Sequence, residues 1–197
     1  VMARAIERKS DDAVMYLYLS SLYEDLKDWA AAEKTVQNGL GRFPRSAELY
    51  YVLGTLQEKT NRFDESIRTM EKVLEIDPKN ADALNFIGYS YADRGIRLDE
   101  AEKMIIEALK IKPDNGYILD SLGWVHFRKN KIDSALLHLK KAQELLPDDA
   151  NILEHLGDVY LKMGKTREAL DYYQKAAALD AGSKTLKKKI DDLIPKK

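Results

Sequence analysis

The amino-acid sequence predicts an all-α solenoid built from repeated helix-turn-helix units. The prediction rests on prolines and glycines that recur along the chain. Each of the two sets has successive spacings of 34, 35 and 34 residues. The prolines are Pro44, Pro78, Pro113 and Pro147, and the glycines are Gly54, Gly88, Gly123 and Gly157. Small residues keep two further registers: Ala32, Ser66, Ala101, Ala135 and Ala169, and then Gly39, Val73, Ala108, Ala142 and Ala176. Four registers that share one insertion indicate a true repeat.

The repeat divides the chain into five full units and two ends. The units are residues 13–46, 47–80, 81–115, 116–149 and 150–183. Residues 1–12 are expected to be the second helix of a truncated, earlier unit, which predicts further units upstream. Residues 184–197 are expected to form a C-terminal capping helix, with Leu186, Ile190 and Leu193 on one side. A terminal helix with a polar outer face shields the end of such a stack.

Each unit is predicted to contain two helices joined by a tight turn. In the fifth unit, Leu153, Leu156 and Tyr160 keep helical spacing before Gly164, and Tyr173 resumes it afterwards. The turn position holds residues that tolerate a left-handed backbone, with Lys27 as the exception: Asn61, Gly95, Asn130 and Gly164. Acids near the start of the second helix suit capping and the helix dipole: Asp64, Asp99 and Asp133. The prolines end the second helix.

The small residues have a steric role in this prediction. Glycine or alanine at a crossing lets two helix backbones approach closely, and large neighbours then fill the remaining space. We therefore expect Gly123 and Ala135 to lie at a crossing with no room for a larger side chain.

These residues resemble the tetratricopeptide repeat (TPR), whose pattern is W-x2-L-G-x2-Y…A-x3-F…P. The third unit reads Leu84-x2-Ile87-Gly88-x2-Tyr91…Ala101-x3-Ile105…Pro113. The fifth has Ala181 where proline is usual, and the first, second and fourth depart at Ser20, Gln57 and His126. The resemblance covers about residues 13–183. It implies a right-handed α-solenoid whose first helices line a concave binding face.

A narrower resemblance points to a cell compartment. The stretch Leu84 to Gly95, and shorter stretches at Leu119–Trp124 and Glu154–Tyr160, resemble bacterial TPR lipoproteins. Some of these are outer-membrane-tethered adaptors that resemble partners of periplasmic processing proteases. The resemblance implies a periplasmic, outer-membrane-tethered adaptor in a Gram-negative bacterium, with its signal and lipid anchor upstream. A cytoplasmic protein is the alternative.

The composition argues against several other classes. The net charge of −1 gives no electrostatic footprint for nucleic acid. The sequence has no cysteine and no apolar run of the roughly 18–20 residues that a membrane span needs. The three histidines form no metalloprotease pattern, and there is no phosphate-binding glycine loop or G-x-S-x-G elbow. We therefore expect no catalytic residues, no metal site, no cofactor and no enzyme activity.

The resemblance to TPR proteins predicts where a partner would bind. Positions 2, 5, 9, 12 and 13 of each unit would face the groove, and they hold nine carboxylates against three cations. This excess predicts a protein or peptide partner with a basic segment. The candidate binding residues are Tyr51, Tyr89, Asp93, Tyr117, Asp120, Trp124, Phe127, Arg128, Glu154 and Asp158. We expect at least Tyr89 and Trp124 to be exposed there, as aromatic anchors of a binding surface often are.

The leading hypothesis is a non-enzymatic scaffold that binds a protein or a peptide on its concave face. In the bacterial envelope it would be an adaptor for a protease or an assembly complex. The alternative is a regulatory TPR region of a larger catalytic or signalling protein. Nucleic-acid binding is a third reading, and the acidic groove opposes it.

Overall fold

The computed structural model describes residues 12–194, and this part of the chain is helical with no strand. The predicted N-terminal helix falls on residues 1–12, of which 1–11 lie outside the described part, as do residues 195–197. Eleven helices occur within residues 12–194: α1 (Val14–Asp25), α2 (Trp29–Arg42), α3 (Ala47–Lys59), α4 (Phe63–Ile76), α5 (Ala81–Arg94), α6 (Leu98–Ile111), α7 (Gly116–Arg128), α8 (Ile132–Leu145), α9 (Ala150–Lys162), α10 (Thr166–Leu179) and α11 (Lys184–Leu193). The predicted all-α class is confirmed, whereas the repeat boundaries stay a prediction.

The chain divides into two compact regions, residues 1–83 and 84–197. We call these regions the first unit and the second unit, and we call the five sequence units repeats. In the first unit, α1 packs on α2, α2 on α3, and α3 on α4. The core between α1, α2 and α3 is built on side chains that are almost wholly buried, including Tyr16, Val36, Leu49 and Leu56. Local helix hairpins of this kind bury a continuous apolar seam between sequence neighbours.

The second unit continues the same order of packing. Helix α6 packs on α7, α7 on α8, α8 on α9, α9 on α10, and α10 on α11. Its core includes Leu139, Leu156 and Val159, and a further cluster joins Tyr173 of α10 to Leu186 of α11. The helix expected near the C-terminus therefore rests on the last hairpin through its apolar side.

Glycines allow the two helices of a hairpin to touch. A Cβ atom added to Gly157 would overlap a ring carbon of Tyr173, and one added to Gly123 would lie 2.6 Å from Leu139. The equivalent positions behave alike, with Gly54 against Met70 and Gly88 against Ile105. The expected close crossing at Gly123 is present, and the large residue opposite each glycine fills the space.

Buried serine hydroxyls use this close approach. The Ser66 hydroxyl donates to the Gly54 carbonyl at 2.8 Å, and the Ser20 hydroxyl donates to the Ala32 carbonyl at 3.4 Å. Both serines are fully buried, so each hydroxyl needs a protein acceptor. Serine therefore replaces glycine or alanine at a crossing without leaving an unsatisfied polar group.

The turns have the predicted left-handed backbone. Asn61, Gly95, Asn130 and Gly164 have φ values of 61°, 70°, 59° and 75°. Lys27 adopts the same conformation with φ 58°, although lysine has a Cβ atom that disfavours it. Arg97, two residues after Gly95, is a further left-handed residue, with φ 48°.

Lys27→Gly is expected to raise the free energy of unfolding by about 0.5–1 kcal/mol. The left-handed conformation costs a residue with a Cβ about 1–2 kcal/mol, and the extra freedom of glycine in the unfolded chain offsets part of the gain. Chemical denaturation measures the change. Lys27→Ala is the control because it removes the same charge but keeps the Cβ. An equal gain in both variants would show that the charge, and not the backbone, is responsible.

The three acids expected to cap second helices do not do so, and this part of the sequence interpretation is wrong. Among the second helices within residues 12–194, only α2 has an acidic cap, where Asp28 accepts from the Ala31 N–H at 3.0 Å. Asp64, Asp99 and Asp133 are the second residues of α4, α6 and α8, and lie in the first turn. The residues at the cap positions, such as Arg62, make no capping hydrogen bond with their side chains. The acids can still stabilise the helices through the dipole. The first helices α3, α7 and α9 have side-chain caps, including Asp149 of α9, which accepts from Asn151 and Ile152.

An ion pair links successive second helices at the same register in both units. Glu33 of α2 binds Arg62, and Glu102 of α6 binds Lys131, each pair being 29 residues apart. Glu102 also contacts Lys129 and accepts from the His126 ring at 2.9 Å. Burial opposes the charge of Glu102, but hydrogen bonds from Lys129, Lys131 and His126 outweigh it and lower its pKa to about 2.

Candidate protein-binding surface

The predicted binding residues lie on the first helix of each hairpin, on α3, α5, α7 and α9. We call the side of these helices and α1 that carries positions 2, 5, 9, 12 and 13 the first-helix face. The side chain of Tyr117 is 58% exposed, and Asp93 is also exposed. Six others are half-buried: Tyr51, Tyr89, Phe127, Arg128, Glu154 and Asp158. Asp120 and Trp124 are buried.

In the first unit, the face contains a pocket of about 270 Å³, which we call the Tyr51 pocket. Leu17, Tyr51 and Val52 contribute apolar surface. The remaining lining residues are Ala47, Glu48, Asn80 and Asp82. Glu48 and Asp82 are exposed and occupy the first turns of α3 and α5. The pocket therefore combines an aromatic ring, an aliphatic wall and two carboxylates.

In the second unit, Trp124 belongs to an aromatic stack, so the expectation that it would be exposed is wrong. Its ring lies parallel to His155 with 4.2 Å between centroids, and parallel to Phe127 at 5.0 Å. Tyr89 lies 6.4 Å from His155 at a tilt. The exposed fraction of Trp124 is 9%, and its indole N–H has no acceptor within the described residues. The rings of Phe127, on the same helix, and of His155, on α9, thus bury Trp124.

Asp120 also points into the protein. Its carboxylate contacts Nδ1 of His155 at 2.8 Å, and both side chains are buried. Burial opposes protonation of His155, but the negative charges of Asp120, Asp158 and Glu154 outweigh it and raise the pKa of the imidazole. The Asp120–His155 pair thus holds together two helices of the second unit.

Arg128 closes one side of the stack. Its guanidinium donates to the Asp93 carbonyl at 2.6 Å and lies 5.8 Å from the centre of the Trp124 ring. This hydrogen bond connects the end of α7 to the end of α5. The Asp93 side chain stays exposed beside it.

Glu154 and Asp158 hold a lysine from the C-terminal helix. The Lys189 ammonium lies 2.7 Å from a Glu154 oxygen and 2.6 Å from an Asp158 oxygen. It also lies 5.3 Å from the centre of the Tyr173 ring, whose hydroxyl donates to Asp158 at 2.7 Å. The end of the first-helix face therefore binds a cation within the chain itself.

The sequence pattern missed Lys189 and His155 as members of this surface. The lysines of residues 184–197 indicated only a soluble cap, although the net charge of +4 of this segment, which also holds two aspartates, was an available signal for a contact with an acidic face. His155 lies 35 residues after Asp120, one repeat length away, which was the signal for their contact. The wall of the Tyr51 pocket formed by Val52 and Asn80 had no such signal.

Residues 12–194 contain no group of three or more His, Asp or Glu side chains placed to hold a metal ion. None of the helices described combines the length and the apolar character that crossing a membrane requires.

Similar sequences and structures agree with this architecture. Residues 123–164 match a family described as TPR repeat, and residues 47–80 and 150–183 each match one described as tetratricopeptide repeat. A TPR repeat-containing protein of Pseudomonas aeruginosa is 37% identical over 62% of this chain, which spans 20% of that protein. The BBSome complex member bbs-4 of Caenorhabditis elegans is 26% identical over 71% of the chain, which spans 30% of it.

Solved structures show the same fold at low sequence identity. A thermophilic TPR protein of Thermus thermophilus aligns with a TM-score of 0.78 and 21% identity, over 92% of this chain and 98% of that one. The type IV pilus biogenesis factor PilW aligns with a TM-score of 0.80 and 17% identity, over 94% and 87% of the two chains. TPR proteins generally act as non-catalytic scaffolds for protein–protein interaction. The repeat matches, the related sequence and the helical-repeat fold together show that this chain belongs to the tetratricopeptide-repeat family.

Proposed function

We propose that this chain is a non-enzymatic scaffold that binds a basic segment of a protein partner on its first-helix face. The observation that carries the proposal is the seat of Lys189 between Glu154 and Asp158. An ammonium group on a helix already binds two carboxylates of this face, over an aromatic ring. Exposed carboxylates elsewhere on the face offer the same chemistry to another chain: Asp25, Glu48, Asp82 and Asp93.

The working context we propose is the bacterial envelope, as a periplasmic adaptor for a protease or an assembly complex. Three stretches of the sequence that resemble bacterial TPR lipoproteins support this proposal. The similarity to a Pseudomonas aeruginosa TPR protein is consistent with a bacterial setting. PilW, a pilus biogenesis factor, has the same fold, but at 17% identity it supports the fold alone.

A second candidate is a regulatory TPR region within a larger catalytic or signalling protein. The observation that favours it is length, because this chain spans only 20% and 30% of the two related proteins. The sequence of the complete gene distinguishes the two candidates.

Partner capture tests the proposed function. The immobilised chain is compared with a variant in which four exposed carboxylates of the face are neutralised: Asp25→Asn, Glu48→Gln, Asp82→Asn and Asp93→Asn. We expect a partner from a source-cell extract to bind wild type about tenfold more tightly, since each exposed ion pair contributes about 0.2–1 kcal/mol. The difference is expected to shrink as salt rises.

A matched control removes four exposed carboxylates of the second helices instead: Glu71→Gln, Glu75→Gln, Glu107→Gln and Glu144→Gln. This control should retain the partner. Equal loss in both variants would show a general charge effect, and equal retention by all three proteins would place binding away from the first-helix face.

A further inference from the structure

We propose that the Tyr51 pocket receives an arginine side chain of the partner. This inference rests on the proposed function and specifies which residue type one part of the first-helix face recognises. The pocket lies within the first unit, between α1, α3 and the start of α5. The charge, shape and size of the pocket select its occupant.

Charge complementarity selects a cation. Glu48 and Asp82 line the pocket, and both are exposed in the first turn of their helices. The position of Asp82 is set by Asn80, whose amide oxygen accepts from the Ala83 N–H at 3.0 Å and whose amide nitrogen donates to Asp77 at 3.3 Å. The Ser46 hydroxyl donates to Glu48 at 2.9 Å and orients that carboxylate. Residues that cap α3 and α5 therefore position the two carboxylates.

The walls of the pocket favour a guanidinium. A planar guanidinium can bind a carboxylate with two parallel hydrogen bonds and stack on an aromatic ring, whereas an ammonium cannot form the planar pair. Tyr51 supplies the ring, and Leu17 and Val52 supply apolar surface for the methylene stem. Burial and then the charge of Asp82 raise the pKa of the Tyr51 hydroxyl, so the ring is neutral at ordinary pH.

The size of the pocket suits one side chain. Its volume of about 270 Å³ is below the roughly 300–1,000 Å³ of pockets that enclose drug-sized ligands. The second unit contains a related arrangement, in which Lys189 lies over the Tyr173 ring and contacts two carboxylates. A cation held by an aromatic ring and paired acids is therefore an arrangement that this chain already forms.

The test uses N-acetyl-arginine amide as the probe and backbone amide chemical shifts of the full chain as the readout. We expect saturable shifts in residues 47–52 and 80–82, and a millimolar dissociation constant. N-acetyl-citrulline amide has nearly the same shape without the charge, and it should bind at least fivefold more weakly. N-acetyl-lysine amide should also bind more weakly than the arginine probe.

Variants separate the pocket from the fold and from the proposed function. Glu48→Gln with Asp82→Asn should abolish the arginine shifts while leaving the remaining spectrum in place, and Glu71→Gln with Glu75→Gln should change nothing. Absent shifts at the pocket, equal binding of citrulline, or tighter binding of lysine would each overturn the proposal. If a captured partner is retained by the pocket variant but lost from the four-site variant, the pocket proposal fails and the proposed function stands.

Discussion

Trp124→Ala is expected to lower the free energy of unfolding by about 3–5 kcal/mol, the usual cost of truncating a buried tryptophan. The Trp124 ring stacks on His155 at 4.2 Å and on Phe127 at 5.0 Å, so its removal leaves a cavity between α7 and α9. The melting temperature should fall by roughly 6–20 °C. Thermal unfolding followed by circular dichroism measures the change.

Trp124→Phe is the matched control for this prediction. Phenylalanine keeps a stacked ring and removes the indole N–H, which has no acceptor within residues 12–194. We expect this variant to lose less than half as much stability as the alanine variant. A near-native melting temperature for Trp124→Ala would mean that the ring contributes little to packing and would restore it as a candidate contact for a partner.

Asp120→Asn is expected to destabilise the second unit by about 3 kcal/mol at pH 5.5, because removing one partner of a buried ion pair leaves the other charge uncompensated. The pKa of His155 is raised in the folded protein, mainly by Asp120 acting against burial. The stabilisation from the protonated pair is therefore complete below the ordinary histidine pKa of about 6.5 and is lost as pH rises through the higher folded value.

The measurement is the difference in unfolding free energy between wild type and Asp120→Asn from pH 5.5 to pH 9. We expect the difference to be largest at pH 5.5 and to decrease toward pH 9. His155→Gln removes the titrating group, so adding Asp120→Asn to it should have an effect that does not vary with pH. A difference that grows with rising pH would contradict the proposed sign of the linkage.

The sequence pattern predicted the backbone arrangement because close helix crossings and left-handed turns require particular residue types at particular positions. Gly123 faces Leu139 with no room for a side chain, and Asn130 has a left-handed backbone. Each of these positions therefore restricts which residue types the sequence can hold there. The all-helical class follows from such positions repeated along the chain. Lys27 shows the limit of this reasoning, because its turn forms without a favourable residue when the flanking helices impose it.

The pattern did not predict which side chains contact one another between successive repeats. Repeat position placed Trp124 and Asp120 on the first-helix side, but their exposure depends on what the next first helix presents, which is His155. Lys189 lies on a helix outside the repeat, so no register could place it beside Glu154. Whether a side chain on this surface is exposed depends on the side chains packed beside it, and helix periodicity does not reveal these neighbours.

Hydrogen exchange of the chain with and without its captured partner tests the central claim most directly. Binding of a basic segment on the first-helix face predicts slowed exchange in α3, α5 and α7, around residues 47–59, 81–94 and 116–128. The second helices α4, α6 and α8 should change little. Slowed exchange confined to those second helices, with no change in the first, would contradict the account.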